Sequence, residues 1–165
     1  MSLSLIIPVY NESNQISYTL NKLNKIKDKI KKFEIILVDD FSTDNSIEVI
    51  NKISSKKKYI KLFRNKKKGL GSAISTGILK SKNEYVAIYM ADLSDDVHDL
   101  LKYYKNINKF KVDAIFGTRF SKESSVRNYP LFKLILNRIF NNFVRLIFFS
   151  PYNDFTNAFK IYNKK

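Results

Sequence analysis

The sequence predicts an α/β fold, with a mostly parallel central sheet flanked by helices in a Rossmann-like plan. Three observations carry this. Short β-rich apolar runs recur, at "LSLIIPV", "EIILVDD", "YIKLFRN", "EYVAIYM" and "VDAIFGT". Several are apolar almost throughout, as strands covered on both faces must be. Between them lie segments with the 3.6-residue apolar spacing of amphipathic helices. Strand–helix–strand alternation then implies parallel pairing through right-handed crossovers, which lines the strand ends along one edge where open α/β sheets bind ligands. The chain has 165 residues, of which 44% are hydrophobic and 14% aromatic, so it is long and apolar enough to bury a core as one domain.

Each element has its own signals. After the first strand, Ile16, Leu20, Leu23 and Ile26 form one helical stripe, with Ser13 or Asn14 as its N-cap. The second run ends in Asp39 and Asp40. Residues 42–44 then open a helix with Ile47, Val49, Ile50 and Ile53 on one face, and Asp44 reads as a cap or turn residue. "GSAISTGILK" is a third helix. Its neighbourhood, with Gly69, Gly71 and Gly77, resembles a phosphate loop superficially, but the glycines read as packing residues that permit a tight turn and close helix approach. The fourth run ends in the acids Asp92, Asp95 and Asp96, and Asp96 reads as the cap of a helix beginning near Val97. After Phe120 comes a polar loop, "SKESSVRNYP", and then a strongly apolar helix over 131–149 that carries Lys133, Arg138 and Arg145. That helix reads either as an interfacial helix or as a core helix. The pattern thus changes at Phe120 and divides the chain into 1–120 and 121–165.

Composition narrows the function classes. There is no cysteine, which excludes disulfide frameworks, thiolate metal sites and cysteine nucleophiles and fits a reducing compartment. The N-terminus carries no signal-peptide pattern, and no run of 18 or more apolar residues is present. Thirty Lys+Arg against 15 Asp+Glu leave a formal net charge of +15, which favours anionic partners. Most individual lysines, as in "KIKDKIKK", read as solvated surface. Neither G-x-G-x-x-G nor a P-loop occurs, which argues against a dinucleotide site of the usual kind. Carboxylates at strand ends can instead accept from a base N–H or ribose hydroxyl, or hold a divalent cation.

Four stretches in order, "IIPVYNES", "EIILVDDFSTDNS", "YMADLSDD" and "GTRF" with the later "NDFTNAFK", give the chain a resemblance over nearly its whole length. It resembles the catalytic part of family-two, inverting, nucleotide-diphospho-sugar glycosyltransferases of the GT-A fold, nearest the dolichyl- or polyprenyl-phosphate sugar transferases. The resemblance implies that Pro8, Tyr10 and Glu12 line the nucleotide pocket and that Asp39 and Asp40 meet the base or ribose. It places Asp92 on a divalent metal, Mg²⁺ or Mn²⁺, that bridges the diphosphate. It gives Arg119 and Arg127 phosphate contacts and Asp154 an acceptor-side role, as orienting group or base. The family motif reads D-A-D where this chain has Met90, Ala91 and Asp92, so Ser94 or Asp95 would complete the metal's ligands. Implied partners are a UDP- or GDP-sugar, a polyprenyl phosphate or cell-surface glycan as acceptor, and the cytoplasmic membrane face, with no nucleic acid. The resemblance makes 1–120 the nucleotide-sugar-binding part and 121–165 the start of an acceptor-side part. The chain is expected to be C-terminally shortened relative to the family. Two alternatives stay open: an inactive relative that binds a nucleotide sugar or a membrane, suggested by Met90, and a basic nucleic-acid-binding module, suggested by the charge.

Overall fold

The computed structural model describes residues 2–120 and 130–165. Its elements alternate: β1 (Ser2–Val9), α1 (Ile16–Asn24), β2 (Lys32–Asp39), α2 (Ser46–Ser54), β3 (Ile60–Arg64), α3 (Leu70–Lys80), β4 (Tyr85–Ile88), α4 (Val97–Phe110), β5 (Ala114–Phe116), α5 (Leu131–Ile147) and β6 (Lys160–Asn163). Six strands form one sheet in the order β3-β2-β1-β4-β6-β5. The pairs β1–β2, β1–β4 and β2–β3 are parallel, as the alternation predicts. β4–β6 is antiparallel.

The centre of the sheet is apolar on both faces because helices cover both. Leu3, Leu5, Ile7 and Val9 of β1 pack with Ile16, Leu20 and Leu23 of α1 and with Ile50 of α2. Ile6 points the other way and clusters with Ile36, Val38, Val86 and Ala73 of α3. All of these residues are buried, and each large side chain so buried is worth about 1.5–3 kcal/mol. At the start of the strands a carboxylate replaces hydrocarbon. Buried Glu34 accepts from Ser4 Oγ at 2.6 Å, from the Lys82 N–H at 2.8 Å and from Lys61 Nζ at 2.7 Å, so it ties β1, β2, β3 and the turn after α3 together.

Several local expectations change. The N-cap of α1 is Gln15, without a side-chain cap, because Glu12 C=O already accepts from the N–H groups of Gln15 and Ile16 and starts the turn earlier. Neither Ser13 nor Asn14 caps it. The tail "KIYN" is a strand that returns to the sheet beside β4, brought in by Phe159, whose ring lies 4.8 Å from Tyr103 and 5.8 Å, edge-on, from Tyr89. Gly77 is a packing residue as read, since a Cβ there would meet Ile6 Cγ2 at 2.3 Å. Gly69 and Gly71 are not. Gly69 has φ 132, a backbone conformation that side chains rarely tolerate, and Gly71 faces open space.

The chain divides into two compact units, Met1–Ile115 with Phe159–Lys165, and Phe116–Ala158. The second unit is built on α5. Its buried residue is Asn141, whose Nδ2 donates to the Asn137 carbonyl and whose Oδ1 accepts from the Phe155 N–H. No helix among the described residues is long and apolar enough to cross a membrane.

Gly77→Ala is expected to destabilise the fold by about 1–3 kcal/mol, because the β-branched Ile6 side chain has no room to withdraw. A fall in urea midpoint at unchanged slope checks this; an unshifted midpoint contradicts the packing role.

Candidate active site

Parallel pairing puts the C-terminal ends of β1, β2, β3 and β4 on one edge of the first unit, and the polar residues of the sequence motifs gather there. The loops after β1 and β2 are latched by hydrogen bonds. Asn11 Oδ1 accepts from the Thr43 N–H at 2.8 Å, and Ser42 Oγ and Ser46 Oγ accept from the N–H groups of Asn11 and Glu12. Asp44 accepts from the Ser13 N–H, the Ser46 N–H and Ser46 Oγ. Burial works against its charge, but these donors outweigh burial and hold the carboxyl below the usual carboxylate range. Asp44 is thus a turn residue, as read, and also a clamp between loops.

The two acids that end the second run have different tasks. Asp40 accepts from the Gly69 N–H at 2.9 and 3.0 Å and from Asn65 Nδ2 at 2.8 Å, so it holds the turn that enters α3. Asp39 is 4% exposed. Its Oδ1 accepts from the Ser42 N–H at 3.2 Å, and its Oδ2 has no partner among the described residues. Pro8 lies within β1 opposite Val38. Tyr10 is 47% exposed at the strand end, with Lys68 Nζ 4.8 Å from its ring centroid. Phe41 is comparably exposed and holds φ 65, a strained value for a bulky residue that concentrates at functional loops.

The acid cluster after β4 is also sorted. Asp92 is exposed, and its Oδ1 accepts from the Ser94 N–H at 3.0 Å. Asp95 Oδ2 accepts from the Met90 N–H at 2.7 Å, while its carbonyl accepts from the Tyr89 hydroxyl. Asp96 is the N-cap of α4, as read. The loop is anchored from α1, where buried Thr19 donates to the Ala91 carbonyl at 2.8 Å. Burial raises the pKa of Glu12, and the nearby charges of Asp92 and Asp44 raise it further. Carboxylates from three loops therefore share one field.

No cluster of three or more His, Cys, Asp or Glu side chains able to hold a metal ion occurs among the described residues. The Ser94 N–H donates to Asp92, and Asp95 Oδ2 is taken by the Met90 N–H. The carboxylates left to a cation are Asp92, through Oδ2, and Glu12, which lies close enough to Asp92 to feel its charge. They fit a hard cation that arrives with phosphate oxygens, since Mg²⁺ uses one or two carboxylates and keeps its other positions for phosphate and water.

Arg119 and Asp154 lie in the second unit as a fork-to-fork pair. Asp154 accepts from the Arg119 N–H at 3.0 Å, from Nε at 2.9 Å and from Nη2 at 2.7 Å, as well as from Thr156 Oγ1 and the Asn157 N–H. Burial pushes the Asp154 pKa up, but the hydrogen bonds and charge of Arg119 outweigh it and hold the carboxyl below its ordinary range. Arg127 lies outside the described residues. The sequence reading passed over Asn65 and Thr19. Asn65 is the hub of the edge, accepting from Ser72 Oγ and Thr76 Oγ1 as well as donating to Asp40. Its signal was available, a polar residue ending the third apolar run, whereas nothing marked Thr19 inside a helical stripe.

The family description "Glycosyl transferase family 2" matches residues 4–165. A dolichol-phosphate mannosyltransferase of Pyrococcus furiosus is 29% identical over 138 residues, 84% of this chain and 39% of that protein. The structure of S. aureus TarS 1–349 aligns with TM-score 0.66 at 22% identity, covering 99% of this chain and 47% of that one. It has also been solved with UDP-GlcNAc. The mannosyltransferase PcManGT from Pyrobaculum calidifontis, in complex with GDP-Man and Mn²⁺, aligns with TM-score 0.60 at 24% identity, over 70% of this chain and 35% of that one. The chain thus spans about half or less of the length of these proteins.

The Arg119–Asp154 pair makes a pH-dependent prediction. Because the folded pKa of Asp154 lies below the unfolded value of about 3.9, its stabilisation is full above that value and is lost as pH falls through the folded one. Asp154→Asn is expected to cost about 2–4 kcal/mol at pH 7. The gap between wild type and variant should close as pH drops below about 4, read from denaturant unfolding across pH. A gap that does not change with pH contradicts the assignment.

Proposed function

The chain belongs to glycosyl transferase family 2, and on that premise we propose that it transfers a sugar from a nucleotide diphosphate to an acceptor by inverting displacement, with a polyprenyl phosphate as acceptor. The observation that carries this reading is the pairing of tasks at the sheet edge. β2 and β4 flank β1 as parallel neighbours about 10 Å apart, so the end of β2 at Asp39 and the loop that leaves β4 with Asp92 open on the same edge. One presents a nearly buried acceptor and the other an exposed carboxylate, as recognition of a base or ribose at one end and a cation-bound diphosphate at the other requires.

In this reading Pro8, Tyr10 and Phe41 shape the nucleoside end. Asp39 Oδ2 accepts from a base N–H or ribose hydroxyl, and Asp40 holds the Asn65–Gly69 turn in register. Asp92 takes the Mg²⁺ or Mn²⁺ that, when bound, offsets the growing charge of the leaving diphosphate. Arg119 and Arg127 supply guanidinium groups to phosphate. Asp154 positions Arg119, because its five hydrogen bonds leave it poorly placed to take up a proton. A phosphate acceptor is already anionic and needs no base. The dolichol-phosphate mannosyltransferase relative supports this acceptor class, and the neighbours with GDP-Man and UDP-GlcNAc support the donor class. A second reading, binding without turnover, is favoured by Met90, which stands where the family has its first acid.

The surface of α5 supports a membrane location. Leu134, Asn137, Asn141 and Val144 form its inward stripe, whereas Phe132, Ile139, Phe140, Phe143 and Leu146 are at least half exposed. With Lys133, Arg138 and Arg145 beside them, these groups suit the boundary of an anionic leaflet.

UDP or GDP with Mn²⁺, at about 100 times Kd, is expected to raise Tm by about 5–10 °C. Asp39→Asn should remove most of this shift, and Asp92→Asn should remove the Mn²⁺-dependent share. No shift with either nucleotide sinks the enzyme reading, and a shift without sugar transfer favours binding alone. On vesicles rich in anionic lipid, co-sedimentation should fall about tenfold or more in Phe140→Glu/Phe143→Glu, since losing two buried aromatic groups exceeds 1.4 kcal/mol. Equal binding by the double variant contradicts the membrane location.

A further inference from the structure

At the opposite edge of the sheet lies a cavity of about 630 Å³, formed where β2 and β3 begin and lined by Lys27, Lys31, Lys32, Lys61 and Lys82. It is remote from the candidate active site. Its residue Glu34 stands at the start of β2 and Asp39 at the end, about 17 Å apart at the rise of a strand. Phe33 and Tyr59 form an apolar wall, with ring centroids 6.2 Å apart, and Lys27 Nζ sits 5.0 Å from the Tyr59 ring.

The charge in this cavity is not compensated. Glu34, its buried acid, is engaged by Lys61, Ser4 and the Lys82 N–H. Burial opposes its charge, but Lys61 and Ser4 outweigh burial, so Glu34 stays ionised and keeps Lys61 as its own partner. The other acids nearby are exposed Asp28 and, on an adjoining smaller cavity, Glu84. Neither pairs with Lys31, Lys32 or Lys82, whose ammonium groups have no ion-pair partner among the described residues. Like charges crowded round a concavity with an apolar wall focus positive potential. Ammonium groups act on phosphate as point charges, so a compact anion of high charge density relieves them best.

We propose that this cavity is a second binding site, for a small molecule that carries two or more linked phosphates. It is independent of the glycosyltransferase reading, and it needs no divalent metal, because the lysines supply the positive charge.

The test uses inorganic tripolyphosphate and ATP, each titrated calorimetrically with EDTA present at about 0.15 M salt, where exposed charges are largely screened. Lys31→Gln/Lys32→Gln/Lys82→Gln should weaken tripolyphosphate by about 10–100-fold, at about 0.5–1 kcal/mol per contact. Lys31, Lys32 and Lys82 are exposed at the cavity mouth, so the control Lys52→Gln/Lys105→Gln/Lys109→Gln removes the same charge from equally exposed positions elsewhere and should leave binding within about twofold. Lys32→Gln and Lys82→Gln singly carry the same test if the triple variant does not fold. Tighter binding of ATP, lost in Tyr59→Leu, identifies a nucleotide as the ligand, and equal affinities identify an inorganic chain. Either result supports the site. No binding of tripolyphosphate, or equal loss in the cavity and control variants, overturns it. Tighter binding of a single-stranded oligonucleotide, lost in the cavity variant, overturns it in favour of a nucleic-acid groove.

Discussion

Strand β1 is paired on both edges, with β2 and β4, and its residues 3–9 are covered on both faces. A strand in that position cannot leave a backbone N–H or carbonyl without a partner. Its neighbours β2 and β4 run parallel to it, and parallel strands are joined by crossovers, which α1, α2 and α3 supply. The same pairing forces the ends of β1, β2, β3 and β4 onto one edge. Ile6 against Gly77 and the Glu34 network at the strand starts hold this arrangement from the face and from the far edge. The candidate active site is a consequence of that constraint: its side chains belong to four separate loops, and only strand pairing brings those loops together.

Most of the acids at the edge serve the backbone. Asp40, Asp44, Asp95 and Asp96 each accept from main-chain N–H groups, fixing turns that helices and strands leave unsatisfied. What remains for a ligand is small: one nearly buried oxygen on Asp39 and one exposed oxygen on Asp92. On Asp95, named with Asp92 and Ser94 as a metal ligand in the sequence reading, Oδ2 already accepts from the Met90 N–H.

The second unit follows a different logic. An ordinary surface helix buries its apolar stripe and exposes its polar one. In α5 the buried residue is Asn141, and large apolar side chains face outward. Asn137, Asn141 and Thr156 satisfy one another and the Phe155 N–H, so the polar stripe loses little by burial. The ion pair of Arg119 with Asp154 adds a second polar fastening to the same unit. These hydrogen bonds and the ring contacts of Tyr152 with Phe116 and Phe155 hold the unit together, while the large apolar side chains of α5 stay exposed.

The fold class and the existence and order of the first five strands and all five helices named above were legible in the sequence, because apolar period and run length report burial directly. The position of Asp39 at a strand end was legible for the same reason, whereas Asp92 lies in the turn four residues past the end of β4 at Ile88. The packing role of Gly77 was legible too, though not the φ of Gly69. The strand β6 was not, since four residues with two apolar positions carry no pattern and gain their stability from β4 and from Phe159 in the aromatic cluster. Thr19 and Asn65 look like any helical threonine and any turn asparagine. By itself, then, the sequence determined which segments must be buried and which acids end them, because that follows from local periodicity. Tertiary structure alone decided which of those acids are spent on backbone N–H groups and which keep an open oxygen, because donors such as the Gly69 and Ser13 amides reach their carboxylates from loops about 30 residues away.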